Sequence, residues 1–483
     1  MRVSPASADR NGRLALFSGE KAHCEVAAVE RLHAVARLPY VERPVVALAD
    51  LHWKERLETP SSTATATRSD IVLSLSSPSQ NCGMTLLRTP LGVEEADNEL
   101  FLKKLMDSLR AEIPRSRSEP ILTREEALRM FMGGAPEAAL QYGLDPEIIA
   151  GVEEGGSLFS PGEADREPVL DALDDECLER GRRSFAFIGG GNHFLEVQAV
   201  EDLIDAPACE ALGLRAGQIV VMYHTGSERL GHDLGRLYAV RMKTSRSRRR
   251  KYFFRKIPLH LLRGVRGPGQ MARRWKYHFS GDPYVPVPAD SPDGRRLQIS
   301  LKGAGNYGYA NRVAVLDLIL RAVRRATGRR ASGFRVISDL SHNVIARERI
   351  AGEELWVHRH NSVRLRPPSD WPQGSLYRSI GQPAMLPGTN RSSSFVVLSR
   401  EGAAGSLHSA DHGAGRTVDR FLEEGLSRAR PSGRTLKFTY ASPSPELLSH
   451  VTDEGIDEVV SVLRRAEIAV AAARLRPLAV LKG

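Results

Sequence analysis

Eight consecutive residues constrain this chain most: Gly189, Gly190, Gly191, Asn192, His193, Phe194, Leu195 and Glu196. They lie between an apolar run ending at Ile188 and an alternating run through Val197 and Val200, which predicts a strand, a tight glycine turn and a second strand. Consecutive glycines reach φ > 0 at no steric cost and let the backbone come close to a neighbour. Asn192, His193 and Glu196 set an amide, a metal-capable imidazole and a carboxylate beside that turn. A plain structural turn is the alternative for this stretch alone.

The arrangement recurs. Cys82 follows Asn81 between apolar runs at residues 71–75 and 84–87, His224 follows the Ile- and Val-rich residues 218–223, and His342 follows a strand-like run at 334–337 by way of Asp339. One thiolate and three imidazoles at strand ends, brought together, would suit zinc, manganese, iron or cobalt. Taken singly, each is as well explained as a buried structural residue.

The rest of the chain reads as scaffold with two exceptions. Strand-like runs occupy residues 44–51, 355–366 and 395–398; a Ser/Thr-rich connector occupies 61–69 and a surface excursion 151–175. Helical spacing covers residues 96–113, 228–240, 306–327, 417–426 and 456–473, and Thr123 with Glu126 forms a capping box. The first exception is His412, Gly413, Ala414, Gly415, Arg416, where glycines precede a helix N-terminus in the manner of an anion cradle. The second is a basic, insertion-like segment at about 236–280. It carries Arg241, Lys243, Arg246, Arg248, Arg249, Arg250, Lys251, Arg255 and Lys256 beside Tyr252, Phe253 and Phe254. This is either a solvated basic loop or a surface that tracks phosphates and stacks on bases. Arg248, Arg249, Arg250 and Lys251 are its candidate phosphate-contacting residues.

Short strands mixed with helices, without regular alternation, predict an α+β fold. Residues 1–42 read as a peripheral N-terminal segment. The formal net charge of +10 favours a polyanionic partner over an acidic protein. The four cysteines, Cys24, Cys82, Cys177 and Cys209, form no paired motif, which argues against a disulfide scaffold or a zinc knuckle. No signal core and no apolar run of about 20 residues is present, so a soluble, cytoplasmic protein without membrane contact is expected.

Ordered motifs along the chain resemble those of the RtcB family of RNA ligases. Residues 189–196 resemble its GGGNHFxE signature; Asn81, Cys82, Gly83 resembles the end of DxxCG, and His224 to Ser227 resembles HSGS. Asn306, Tyr307, Ala310, Asn311 and Arg312 resemble NYAxANR; Asp339, His342 and Asn343 resemble DxxHN. His358, Arg359 and Arg364 resemble part of HRKGATR, His412 to Arg416 matches HGAGR, and Lys482, Gly483 is similar to the family's last two residues. The resemblance implies a single large catalytic domain over residues 43–483 with mixed sheets and a central cleft. It implies an enzyme that uses GTP and Mn2+ to join RNA ends bearing a 3′-phosphate or 2′,3′-cyclic phosphate to 5′-hydroxyl ends, in RNA repair or tRNA splicing.

By the same resemblance, His412 is the nucleophile that becomes guanylylated. Cys82, His224 and His342 hold one ion, and Cys82 and His193 contribute to a second. Asn192, Glu196, His342, Asn343, Pro387, Gly388, Thr389, Gly413, Ala414, Gly415, Arg416 and Lys482 surround the nucleotide. RNA is the polyanion implied for Arg248, Arg249, Arg250 and Lys251, and the resemblance extends to an archease-like activator as a partner. The chain also departs from the pattern. Ser79 stands where the family carries a metal-binding aspartate, and a neutral hydroxyl is a poorer ligand for a hard ion than a carboxylate. His360, Asn361 and Ser362 replace the Lys, Gly and Ala of HRKGATR, and Asp453 falls near an expected tyrosine. The alternatives are therefore a non-ligating RNA-end or nucleotide-binding paralogue and a metal-dependent RNA-end phosphoesterase.

Overall fold

The computed structural model describes residues 7–8, 12–21, 25–160, 162–163, 165–240, 245–328 and 332–483. Cys24, Arg241 and Lys243 lie outside the described residues. Helices and strands are mixed without regular alternation around two main sheets, the α+β arrangement that the sequence predicts.

The larger sheet has nine strands, and its main path runs Arg335–Ser341, Gly83–Arg88, Ile219–Thr225, Phe194–Leu203, Ala469–Lys482, Ser394–Ser399, Pro383–Leu386. All neighbours on this path are antiparallel. Its central strands are apolar at consecutive positions because both faces are covered. Val221 and Tyr223 pack on the helical side with Ala304, Tyr307 and Ala310, while Val220 and Met222 pack on the other with Leu86 and Val396. The six-stranded sheet runs Ser7–Ala8, Leu14–Leu16, Val45–His52, Ser61–Thr67, Glu353–His360, Ile345–Ile350.

Antiparallel pairing brings alternate strand starts and strand ends to one edge. There Ser341 faces Gly83, Gly83 faces Thr225, His224 faces Phe194, and Phe194 faces Lys482. Four residues far apart in sequence, Cys82, His193, His224 and His342, therefore sit at the same end of four adjacent strands.

Several expected elements differ. The Ser/Thr-rich connector is the buried central strand Ser61–Thr67, paired on both sides; Ala64 and Ala66 face the core, and Thr63 Oγ1 donates to the Pro60 carbonyl at 3.0 Å. Threonine fits a pleated strand well once its hydroxyl is satisfied, a property that polarity alone hides. Residues 71–75 form the two-residue strand Asp70–Ile71 and a 3-10 turn, Leu73–Leu75. The run to Ile188 is not a strand: Ala186 has φ 58°, and its N–H donates to Asn311 Oδ1 at 2.7 Å.

The long helix is Pro292–Thr327, starting well before residue 306 behind a Ser291 cap on the Gly294 N–H. Glycines made its first half look unhelical, but Gly303 is where Phe131 packs: a Cβ there would lie 1.8 Å from the ring. The run at 355–366 breaks at Asn361, φ 50°, into Glu353–His360 and Ser362–Arg364. The C-terminal helix stops at Arg465; Glu467, φ 51°, turns the chain into the strand Ala469–Lys482. The excursion at 151–175 reaches the interior, since Val152 bridges Asp339 and Glu153 pairs with Arg364 at 2.8 Å.

The basic stretch is helical: Arg246–Lys256, a π-helical turn Ile257–Leu262, then Pro268–Phe279. Tyr252 and Lys256, one turn apart, form its buried side. The Tyr252 hydroxyl bonds Asp233, and Lys256 Nζ donates to the carbonyls of Ala239 and of His278, the latter at 3.0 Å. His260 stacks on His278 at 3.6 Å, and Arg274 Nε reaches Asp293 at 2.6 Å. Among the described residues no helix is long and apolar enough to cross a membrane.

Candidate functional site

His224 Nε2 stands 3.0 Å from Cys82 Sγ and 3.3 Å from His342 Nε2, and His193 Nε2 stands 3.1 Å from Cys82 Sγ. The donor atoms of Cys82, His224 and His342 lie within 4.8 Å of one another, and all three residues are buried. Burial and neighbouring imidazoles push His224 and His342 well below the usual histidine range, which leaves neutral rings with free lone pairs. His193 is oriented through Nδ1, 2.8 Å from the Ile188 carbonyl and 3.0 Å from Glu228 Oε1. The Asn192 backbone holds His224, and His342 Nδ1 is buried without a hydrogen-bond partner. A cysteine sulfur with converging neutral imidazoles fits a divalent transition ion.

The carboxylate expected near Cys82 is absent, as Ser79 donates its N–H to Ser77 Oγ at 3.2 Å. An acid enters instead from Glu228, behind His193. The sequence reading missed it, although Thr225-x-x-Glu228 has capping-box spacing and Thr225 Oγ1 does bond Glu228 Oε1 at 3.0 Å.

Buried residues of the long helix fix the loops that carry these side chains. Arg312 Nε bonds both Asp339 oxygens, at 2.8 and 2.9 Å, just ahead of His342. Its Nη1 bonds the Asn81 carbonyl, next to Cys82, at 3.2 Å and the Thr225 carbonyl, next to His224, at 3.3 Å. A Cβ on Gly83 would lie 2.8 Å from this guanidinium, hence glycine after the cysteine. Asn311 Nδ2 bonds the Phe187 and Gly226 carbonyls at 3.2 and 2.9 Å, tying the approach to the glycine turn to the turn that follows His224.

His412 follows the strand Ser409–Asp411, and its ring centroid lies 4.6 Å from that of His342. Burial, with His52 and Lys54 nearby, pushes its pKa down to about 3, and its Nδ1 has no hydrogen-bond partner. Asn343 reaches this side too, because its Oδ1 accepts the Asn361 N–H at 2.9 Å and Asn361 bonds His412 through its backbone.

Pro387 and Gly388 pack on the turn at 413–415, where the Ala414 N–H donates to the Pro387 carbonyl at 2.9 Å, and the Thr389 N–H donates to Ser392 Oγ at 2.8 Å. The helix that begins at Gly415 is already capped: Asp50 Oδ1 accepts the Thr417 N–H and hydroxyl, both at 2.7 Å. Arg416 pairs with Glu423 at 3.2 Å and lies 3.5 Å from Glu25. Asp453 accepts Ser393 N–H and Oγ, at 2.9 and 2.7 Å, and so braces the segment after Thr389.

Glu196 is buried, accepts Gln198 Nε2 at 2.7 Å, and is pushed up to about 7 by desolvation against the pull of Lys482. Lys482 Nζ sits over Phe194, 5.8 Å from the ring centroid; Asn192 is exposed. Beside the glycines opens a cavity of about 510 Å³ lined by Arg115, Arg180, Arg183, Arg229 and Glu228. Arg248, Arg249, Arg250 and Lys251 lie on the exposed side of the basic helix, and Lys251 is paired with Glu176 at 2.8 Å.

Over 426 residues the chain is 30% identical to a tRNA-splicing ligase RtcB of Pyrococcus furiosus, covering 83% of this chain and 40% of that protein. It is 28% identical over 468 residues to an RNA-splicing ligase RtcB of Mycobacterium tuberculosis, covering 93% and 99%. A tRNA-splicing ligase RtcB of Thermococcus kodakarensis is 29% identical over 425 residues, covering 83% and 80%. The chain spans about two fifths of the length of its Pyrococcus relatives. The family described as tRNA-splicing ligase RtcB matches residues 31–483, and the chain belongs to it.

Proposed function

We propose that this chain is a GTP- and Mn2+-dependent RNA ligase that joins 3′-phosphate or 2′,3′-cyclic phosphate ends to 5′-hydroxyl ends. The observation that carries the reading is the His412 ring, neutral and 4.6 Å from His342, beside the buried trio Cys82, His224 and His342. Mn2+ held by the trio would neutralise the triphosphate and favour departure of pyrophosphate. Every other step falls to the chain itself. An imidazole that is unprotonated at neutral pH offers its lone pair to the α-phosphorus of GTP; a P–N bond forms as the bond to pyrophosphate breaks. A 2′,3′-cyclic end is first opened by water, which breaks the phosphorus–O2′ bond and leaves a 3′-phosphate. A 3′-phosphate oxygen then takes the guanylate as the P–N bond to His412 breaks, and the 5′-hydroxyl, giving up its proton, displaces GMP. A buried site shields the phosphoramidate from water.

Glu196 and Lys482 would receive the base, with Asn192, Asn343, Thr389 and the 413–416 turn around the nucleotide. The arginine-lined cavity beside the glycines supports a path for RNA phosphates into a cleft, and Arg248, Arg249 and Arg250 would extend it. His193, with Cys82, would attend a second ion that lacks the carboxylate missing at Ser79. RNA, GTP and an archease-like activator are the partners this reading implies, with a place in tRNA splicing or RNA repair in the cytoplasm.

The test is incubation of the full chain with Mn2+ and GTP labelled on its α-phosphate. An acid-labile protein adduct that His412→Ala removes is expected. A metal-loaded wild type that forms none refutes the reading, and cyclic-phosphate opening without joining would identify a phosphoesterase instead.

A further inference from the structure

Among the described residues, the exposed Phe and Trp rings are Phe253, Phe254 and Trp275, at 42%, 57% and 50% exposure, and all three lie in the basic helical insertion. They form one connected surface across two helices. Phe254 meets Phe253 at 5.9 Å between centroids, Phe253 meets Phe279 at 5.6 Å, and Phe279 stacks nearly parallel on Trp275 at 4.9 Å and 14°. The Arg250 guanidinium lies 5.7 Å over Phe254. Arg246, Arg248, Arg249 and Arg250 are exposed and form no ion pair with described residues, whereas Lys251 and Arg255 are answered by Glu176 and Asp174. Arg273 and Lys276 add exposed charge from the second helix.

The platform is rigid from beneath. Lys256 bridges the ends of two helices through the Ala239 and His278 carbonyls, and the His260 and His278 rings stack below. Exposed aromatics held this way cost little ordering entropy when a ligand stacks on them. The insertion follows the helix Glu228–Tyr238, which starts beside His224 and is about 16 Å long at 1.5 Å per residue.

We propose that this face binds single-stranded nucleic acid: successive bases stack on Phe254, Phe253 and Trp275 while Arg246, Arg249 and Arg250 take the flanking phosphates. On the ligase reading, from which the choice of RNA follows, it grips the strand a short distance from the end being joined. Guanidinium groups without a carboxylate partner among the described residues, beside rings that are about half exposed, complement a chain that alternates phosphates with flat bases. A second copy of this chain is a poor occupant, because a two-fold contact would set each arginine row against its own image.

The experiment measures binding of a labelled oligouridylate of about 12 nucleotides to the full chain by anisotropy. Phe254→Ala and Trp275→Ala should each raise Kd by roughly 5- to 100-fold with an unchanged salt slope. Arg249→Gln with Arg250→Gln should lower the slope of log K against log salt by roughly 1.4, and duplex RNA should compete weakly. Unaltered melting temperatures would show that the variants fold. Unchanged Kd in the folded double variant Phe254→Ala, Trp275→Ala overturns the proposal. So does tighter binding to anionic lipid vesicles than to the oligonucleotide, or ring-dependent dimerisation without RNA binding. Adduct formation at His412 is read separately on the wild type: its failure with ring-dependent RNA binding sinks the ligase reading and leaves the platform.

Discussion

Arg312 is the side chain whose removal should damage the site most without touching a ligand. It is fully buried and its guanidinium joins three loops, those of Cys82 through Asn81, of His224 through Thr225, and of His342 through Asp339. Arg312→Met leaves the Asp339 carboxylate buried with only Thr85 Oγ1, at 2.7 Å, in support, and strips a donor from the Asn81 and Thr225 carbonyls. Breaking a buried ion pair from one side costs about 3–5 kcal/mol. With an unfolding entropy of about 2.1 cal/mol/K per residue, the 483 residues give roughly 1 kcal/mol/K, so the melting temperature should fall by about 3–5 °C.

The site should lose more than stability. Three ligand loops released together should weaken metal binding about 10- to 100-fold, as losses of supporting hydrogen bonds do elsewhere. Arg312→Lys keeps the charge but not the planar fork and should recover only part of either loss. Calorimetric melting and Co2+ titration, followed by thiolate-to-metal absorption, give both numbers. If Arg312→Met melts within about 1 °C of wild type and binds Co2+ within about twofold, the guanidinium does not organise the ligands and this account of the site fails.

Glu196, pushed up to about 7 by burial, should make GTP affinity rise between pH 6 and 8 as its carboxylate ionises, and Glu196→Gln should flatten that rise. The stability sign is the reverse: the native state binds the extra proton between the unfolded value of 4.5 and about 7, so this group's contribution is lost as pH rises through that window, which paired melts of wild type and Glu196→Gln will reveal. Ser79→Asp should supply a hard ligand three residues before Cys82 and either raise Mn2+ affinity about tenfold or more or add a second bound ion, measured by calorimetry; no change would remove Ser79 from any account of a second ion. Lys256→Met orphans the buried Ala239 and His278 carbonyls at about 1–3 kcal/mol each, so hydrogen exchange should quicken across residues 246–279 and not in the nine-stranded sheet.

Chemistry at strand ends was legible because an apolar run borders each ligand directly: it follows Cys82 and His193 and precedes His224 and His342. What brings four such ends together is the strand order, and no local pattern encodes it. Arg335–Ser341 lies beside Gly83–Arg88 although about 250 residues separate them. Where side chains take over the work of backbone pairing, the sequence misled in a consistent direction. Ser61–Thr67 looked like a connector because its hydroxyls are polar, yet those of Thr63 and Thr67 bond nearby carbonyls and Ala64 and Ala66 go to the core. The run to Ile188 looked like a strand because it is apolar, yet Asn311 replaces the missing partner strand.

The asparagines and arginine of the long helix, visible in sequence only as a motif without a role, therefore carry the part of the design that periodicity cannot express. They satisfy irregular backbone at the place where it must stay irregular to present His193, His224 and Cys82 inward. The glycine turn depends on this support more than on its own flexibility. Gly189, φ 93°, lies between the Glu228 carboxylate and His193 Nδ1, with a built Cβ only 2.5 to 2.6 Å from either. Any side chain there would part the acid from the imidazole that it orients.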